Sequence, residues 1–192
     1  LERRLGRIGA ARRHAQAARG ERPFAAALEL AHLDRQQSET AAALAGYRAL
    51  STHASDARER AIALGELGRM LQSVGQNRDA QRHHAEALAL SRELGDEARA
   101  ELEASLHARA THRAGDVAEA VVLHQRALAA HRARQSRRLE AAELGHLGFC
   151  HHELGEHDEA ERHFRASIAG LAAVGDLVLE AIERSMLARL LY

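Results

Sequence analysis

Cys150 and His146 stand four residues apart, the spacing that places a thiol and an imidazole on one helical face within reach of each other. Such a pair has the geometry of a nucleophile and its base. The thiol lies beside the stripe Leu144, Leu147 and Gly148, however, and a cysteine buried among leucines is inert. Fourteen histidines raise the question of metal. His83–His84 and His151–His152 are adjacent pairs that point to different helix faces, and His107/His112 and His146/His151 are five residues apart, a poor face spacing. HExxH and CxxC motifs are missing, whereas structural zinc advertises itself by tight ligand spacing. Every base is Arg, with no Lys, which excludes a Walker-type phosphate loop and Schiff-base chemistry. With no GxSxG motif either, the expectation is a protein that is not an enzyme and uses no cofactor or metal.

The elements that carry these residues are helices. Apolar residues make up 46% of 192, aromatics only 3%, and Pro23 is the single proline; Ala, Leu, Arg and Glu all enter helices at little cost. Residues 1–22 hold seven Arg against Glu2 and Glu21, about +5 in a chain of zero net charge. Residues 1–20 read as a basic leading helix with Leu1, Leu5, Ile8 and Ala11 on one stripe, expected to pack on the acidic remainder or lead in from a preceding domain. One cysteine permits no internal disulfide, which suits a reducing cytoplasm. No apolar run approaches a membrane span and no signal peptide is visible, so no membrane partner is expected. The chain starts at Leu1 rather than Met, which fits a part of something larger.

From residue 75 one stretch recurs every 40 residues: Gly75–Asp96, Gly115–Ser136 and Gly155–Asp176, with no insertion. Ala80, Ala120 and Ala160 share one column, and Leu88, Leu128 and Ile168 another. A fixed period of this size signals a stack of supersecondary units. Helices are expected over about 57–74, 77–94, 97–114, 117–134, 137–154, 157–174 and 177–192, after a degenerate pair at 24–34 and 38–53. Gly75, Gly115 and Gly155 end helices where left-handed backbone is needed. Ser38 is placed to cap a helix, Asp116 with Glu119 resembles a capping box, and Asp96 and Asp176 are placed to start helices. Gly68 and Gly148, in mid-helix, mark a close helix–helix approach.

The 40-residue helix pair, the Leu-Gly dipeptides at 67–68 and 147–148, the turn glycine and the small Ala five residues after it resemble tetratricopeptide repeats over roughly residues 24–192. The longer-period variety of bacterial regulators and polarity scaffolds is the nearer likeness. The resemblance implies an all-α, right-handed α-solenoid. A basic leading helix occupies 1–20 and the solenoid 21–192, with repeats at about 24–54, 57–96, 97–136 and 137–176 and a final helix at 177–192. The third copy departs from the pattern, with His107–Ala108 for Leu-Gly and Thr111 for Leu71, and is expected to be looser or locally adapted.

The resemblance also implies a concave groove lined by one stripe of each first helix. Carried residue by residue, the stripe holds Arg69, Gln72, Arg109, His112, Phe149, His152 and Arg189, with Arg113 and His146 close by. Arginine forks suit carboxylates and phosphates. The expected partner is therefore a protein or peptide segment, acidic in character, with nucleic acid not expected for this domain alone. Alternatively the arginines are solvated or pair with Glu66, Glu101 and Glu153. The last helix is apolar over much of its circumference, so Leu187, Leu190, Leu191 and Tyr192 are expected to be covered by further chain or by a second subunit. The functional expectation is an interaction module, the sensor or adaptor part of a larger bacterial regulatory protein. The alternative is a sensor of a small ligand or signalling peptide that controls a linked ATPase or DNA-binding domain.

Overall fold

The protein, seen as a computed structural model, is described over residues 2–20 and 22–191, and for side chains from residue 9 onward except residue 19. Leu1, Tyr192 and the side chains of Leu5 and Ile8 therefore lie outside the described residues. The helices are α1 (Glu2–Ala17), α2 (Pro23–Gln36), α3 (Thr40–His53), α4 (Ala57–Ser73), α5 (Asn77–Glu93), α6 (Glu97–Arg113), α7 (Val117–Ala133), α8 (Arg137–Glu153), α9 (His157–Val174) and α10 (Leu177–Leu191). A 3-10 turn, Ala18–Gly20, follows α1, and no strand occurs among the described residues.

The turns follow from local chemistry. Asp56 is extended (φ −146°, ψ 172°), and its side chain accepts the Glu59 N–H at 2.8 Å while Glu59 accepts the Ser55 N–H at 2.9 Å. That is a reciprocal capping box. Asp96 and Asp176 likewise accept from the Arg99 and Leu179 amides. Two expected caps are corrected. Asp116 stands before α7, but at φ −87°, ψ 61° its carboxylate accepts no bond from the first turn. Ser38 is left-handed (φ 63°), so α3 begins after Glu39 and the Ser38 hydroxyl does not cap it. The column closed by Gly95 (φ 65°) and Gly175 (φ 73°) keeps its left-handed bend at Gln135 (φ 58°), where a side chain is strained.

The chain divides into two compact units, residues 1–100 and 101–192. In the first, α1 packs on α2, and α2 to α5 pack in succession. Arg12 donates to Asp34 at 2.5 Å and to Gln37 at 2.7 Å, so the basic helix does rest on an acidic side chain of the body. The core holds Tyr47, Leu64, Leu67 and Leu71. Gly68 lies against the His84 ring, 2.7 Å from where its own Cβ would stand. In the second unit α7, α8, α9 and α10 pack in succession around Leu128, Leu144, Leu147 and Phe164. Gly148 meets the Phe164 ring as Gly68 meets His84, with a Cβ 2.7 Å from the ring edge. The third copy is locally adapted rather than loose: Ala108 and Thr111 are fully buried, and the Thr111 hydroxyl donates to the His107 carbonyl at 2.9 Å.

Gln135→Gly removes the left-handed strain without touching another side chain. Unfolding in urea should show a gain of about 1 kcal/mol; an unchanged or lower midpoint would show that the bend at Gln135 carries no strain.

Candidate partner-binding face and the carboxylates behind it

In the first unit the predicted stripe is largely satisfied from within. Glu66 on α4 pairs with Arg69 one turn later, and His32 and Arg35 of α2 approach the same carboxylate at 3.4 and 3.5 Å. Burial would raise the Glu66 carboxyl, but the Arg69 hydrogen bond and the surrounding positive charge outweigh it and hold it below its ordinary value. Gln72 is buried. Arg69 is therefore an internal partner of Glu66.

The second unit differs by one register position. Where Arg69 has Glu66 three residues before it, Arg109 has Leu106. No hydrogen bond or ion pair joins Arg109 to another described residue. Its guanidinium is half-buried, and its acidity is increased by that burial and by Arg113 beside it, with Glu143 acting the other way. His112 pairs across to Glu153 of α8 at 3.1 Å. Burial, with the His124 ring 5.1 Å away, pushes His146 down to about 3, so its imidazole is neutral at pH 7. Arg109, His112 and His146 thus share one α6–α8 face, close enough for the first two to act on the charge of the third.

The other predicted residues are dispersed. Phe149 packs edge-on against Phe164 at 5.2 Å and belongs partly to the core. His152 is exposed near His157, Arg113 is exposed, and Arg189 is exposed on α10 beside Met186. Leu187 and Leu190 are half-buried and Leu191 is 50% exposed, whereas Leu177 and Val178 are each 73% exposed. Tyr192 lies outside the described residues. Burial, with Glu153 adding to it, pushes the Cys150 thiol up to about 12, and the side chain is fully enclosed, as inert as its place beside the leucines suggested. Among the described residues no group of three or more His, Cys, Asp or Glu is arranged to hold a metal ion, and no helix is long and apolar enough to cross a membrane.

Behind the face lies a polar cluster that the sequence reading did not single out. Glu143 is buried on α8, and its Oε2 is 2.6 Å from His124 Nδ1 of α7. His131 Nε2 is 3.8 Å from Glu143 Oε1 and 3.2 Å from Ser105 Oγ of α6. Burial would raise Glu143, but the His124 bond, then His131 and Ser105, hold it well below the carboxylate range. The available signal was positional: His124 occupies the column of His84 and Phe164, the residues that pack on Gly68 and Gly148.

Helix pairs repeated at a fixed period, with α2 to α5 and α7 to α10 each packed in succession, have the architecture of the α-solenoid class. The profile of the tetratricopeptide repeat family matches residues 63–98, which span most of α4 and all of α5. No curated protein sequence matches it. The apo form of RapI superposes with a TM-score of 0.76 at 15% identity, covering 87% of this chain and 47% of RapI. A Rap protein complexed with Competence and Sporulation Factor gives 0.71 at 16%, covering 87% and 48%. A putative kinesin light chain from Podosopora anserina with nearly identical TPR-like repeats gives 0.73 at 17%, covering 90% and 91%. The chain spans about half the length of the Rap proteins it matches.

Glu143→Ala leaves His124 and His131 buried without their anion and should cost about 3–5 kcal/mol in urea unfolding. The contribution of Glu143, a carboxyl depressed on folding, is fully present above pH 4.5 and lost as pH falls below it. A loss under about 1 kcal/mol would show the cluster to be solvated instead.

Proposed function

We propose that this chain is a protein–protein interaction module that holds an acidic peptide or acidic segment of a partner. Arg109 is its anchor. The observation that carries this reading is that a half-buried guanidinium, flanked by His112 and His146, has no carboxylate of its own while the equivalent Arg69 is paired with Glu66. A cation removed from water without a partner gains most from a ligand anion, and an arginine fork binds a carboxylate through two parallel bonds. His112 and Arg113 border the same face, and Phe149 offers an apolar edge. In this reading Arg69, Gln72, His152 and Arg189 are peripheral. The family likeness supports a sensor or adaptor role within a larger bacterial regulatory protein. A second reading, a sensor of a signalling peptide that controls a linked domain, is favoured by the likeness to a Rap protein complexed with Competence and Sporulation Factor.

The test is fluorescence anisotropy with labelled Asp/Glu-rich and Lys-rich decapeptides. The acidic set should bind more tightly, lose affinity with added salt, and bind Arg109→Ala at least about tenfold more weakly, the loss of one charge-assisted pair. Binding that ignores peptide charge, or is unchanged in Arg109→Ala, would overturn the assignment.

A further inference from the structure

Positions 63, 103, 143 and 183 form one column of the 40-residue period, occupied by Ala63, Glu103, Glu143 and Glu183, and all four are buried. Glu143 and Glu183 both belong to the second unit, and they differ in what surrounds them. His124 stands 19 residues before Glu143, His131 stands 12 before it, and Ser105 stands 38 before it. At the same offsets from Glu183 stand Phe164, Leu171 and Gly145. The carboxylate is kept while its partners are replaced by apolar side chains at 164 and 171 and, at Gly145, by no side chain at all.

The geometry agrees with the register. Glu183 is 6% exposed and lies over Gly145 of α8, so close that a Cβ there would come within 2.8 Å of the carboxyl carbon. Its Oε2 is buried with no hydrogen-bond partner among the described residues. Charged neighbours on the adjoining elements are engaged elsewhere. On α10, Glu180 pairs with Arg184 at 2.6 Å, and Arg189 lies beside Met186. On α8, Arg138 pairs with Asp176, Glu143 with His124 and Glu153 with His112, while His146 is neutral. On α9, Arg162 pairs with Glu159, Arg165 pairs with Glu161, and burial keeps His163 uncharged. Burial alone acts on Glu183 and pushes its carboxyl up to about 7.

We propose that Glu183 is a proton switch: α10 docks on α8 and α9 with Glu183 as the neutral acid, and loosens when that carboxyl ionises. An ionised carboxylate at this place would be a buried charge without a counter-ion, which the fold avoids by releasing the helix toward water. The sign is opposite to that of Glu143. A carboxyl raised on folding adds stability that is fully present below pH 4.5 and is lost as pH rises to about 7, beyond which nothing more is lost. The neutral form fits because the positions that correspond to the histidine partners of Glu143 hold Phe164 and Leu171, both buried and apolar.

Hydrogen exchange of the whole chain at pH 5.5 and pH 8, corrected for intrinsic rates, reads the docking of α10 directly. Protection of α10 relative to α8 should fall by about tenfold or more across that interval and should be independent of pH in Glu183→Gln. Phe164→His, which recreates the ring that packs on Gly68, gives Glu183 the partner of Glu143 and should abolish the fall. Equal protection of α10 at both pH values in the wild type, or the same fall in Glu183→Gln, would overturn the switch. Should the variants fail to fold, carbon-detected titration of the wild-type glutamate carboxyls decides: one should titrate near pH 7, and all titrating below about pH 5.5 would overturn it.

Discussion

The contact on which this structure depends is the one between a glycine in the middle of a first helix and a ring on the second helix of the same pair. Gly68 receives His84 and Gly148 receives Phe164, and in both cases a Cβ would overlap the ring. Glycine in a helix interior costs about 1 kcal/mol relative to alanine. It is retained because the two axes approach so closely that only hydrogen leaves room for the ring. Gly170 against Ala141, and Gly46 against Ala31, repeat the same device where first and second helices cross elsewhere. Close approach explains why so few aromatic side chains are enough for a core: alanines at 61, 80, 120 and 160 are fully buried because backbone meets backbone.

Close packing has a cost where the column calls for a polar residue. His84 and His124 fill places that Phe164 fills with carbon, and each brings ring nitrogens into the interior. Glu143 answers His124 and His131, with Ser105 completing the set. The outcome is a buried polar cluster that is stable as a unit and costly to break in any member. One repeat later the carboxylate persists as Glu183 while the histidines have become Phe164 and Leu171, so the same position changes from a structural anion into an acid without a partner. A similar small difference of register separates Arg69, which is paired with Glu66, from Arg109, which has Leu106 at the same offset.

Much of the fold was legible because its signals are periodic. The spacing of 40 residues, the turn glycines and the leucine stripes place α4 to α10 within one residue of the observed ends. The first pair was less exact because Ser38, a left-handed residue with the composition of a cap, hides the start of α3. The candidate site was only partly legible. Helical spacing identifies the α6 stripe, and the i, i+3 relation of Glu66 and Arg69 is visible in the sequence, so their pairing could be weighed. The inward turn of His124, His131, Glu143 and Glu183 was hidden, because charged residues beside leucines are ordinarily taken as a solvated face. The three glutamates at 40-residue intervals were a further clue, since a surface position has no reason to hold its residue type through successive repeats.

The central claim is that ring and glycine are fitted to each other in the α4–α5 and α8–α9 pairs. A double-mutant cycle on Gly148→Ala and Phe164→Leu, followed by urea unfolding, measures that fit. Alanine at 148 should destabilise by about 1–3 kcal/mol against the Phe164 ring, offset in part by about 1 kcal/mol of helix propensity. With leucine at 164 the same change should become neutral or stabilising, giving a coupling of about 1 kcal/mol or more. Effects that add to within about 0.5 kcal/mol would mean that the two positions do not sense each other, and the account of how these helices are held together would fail.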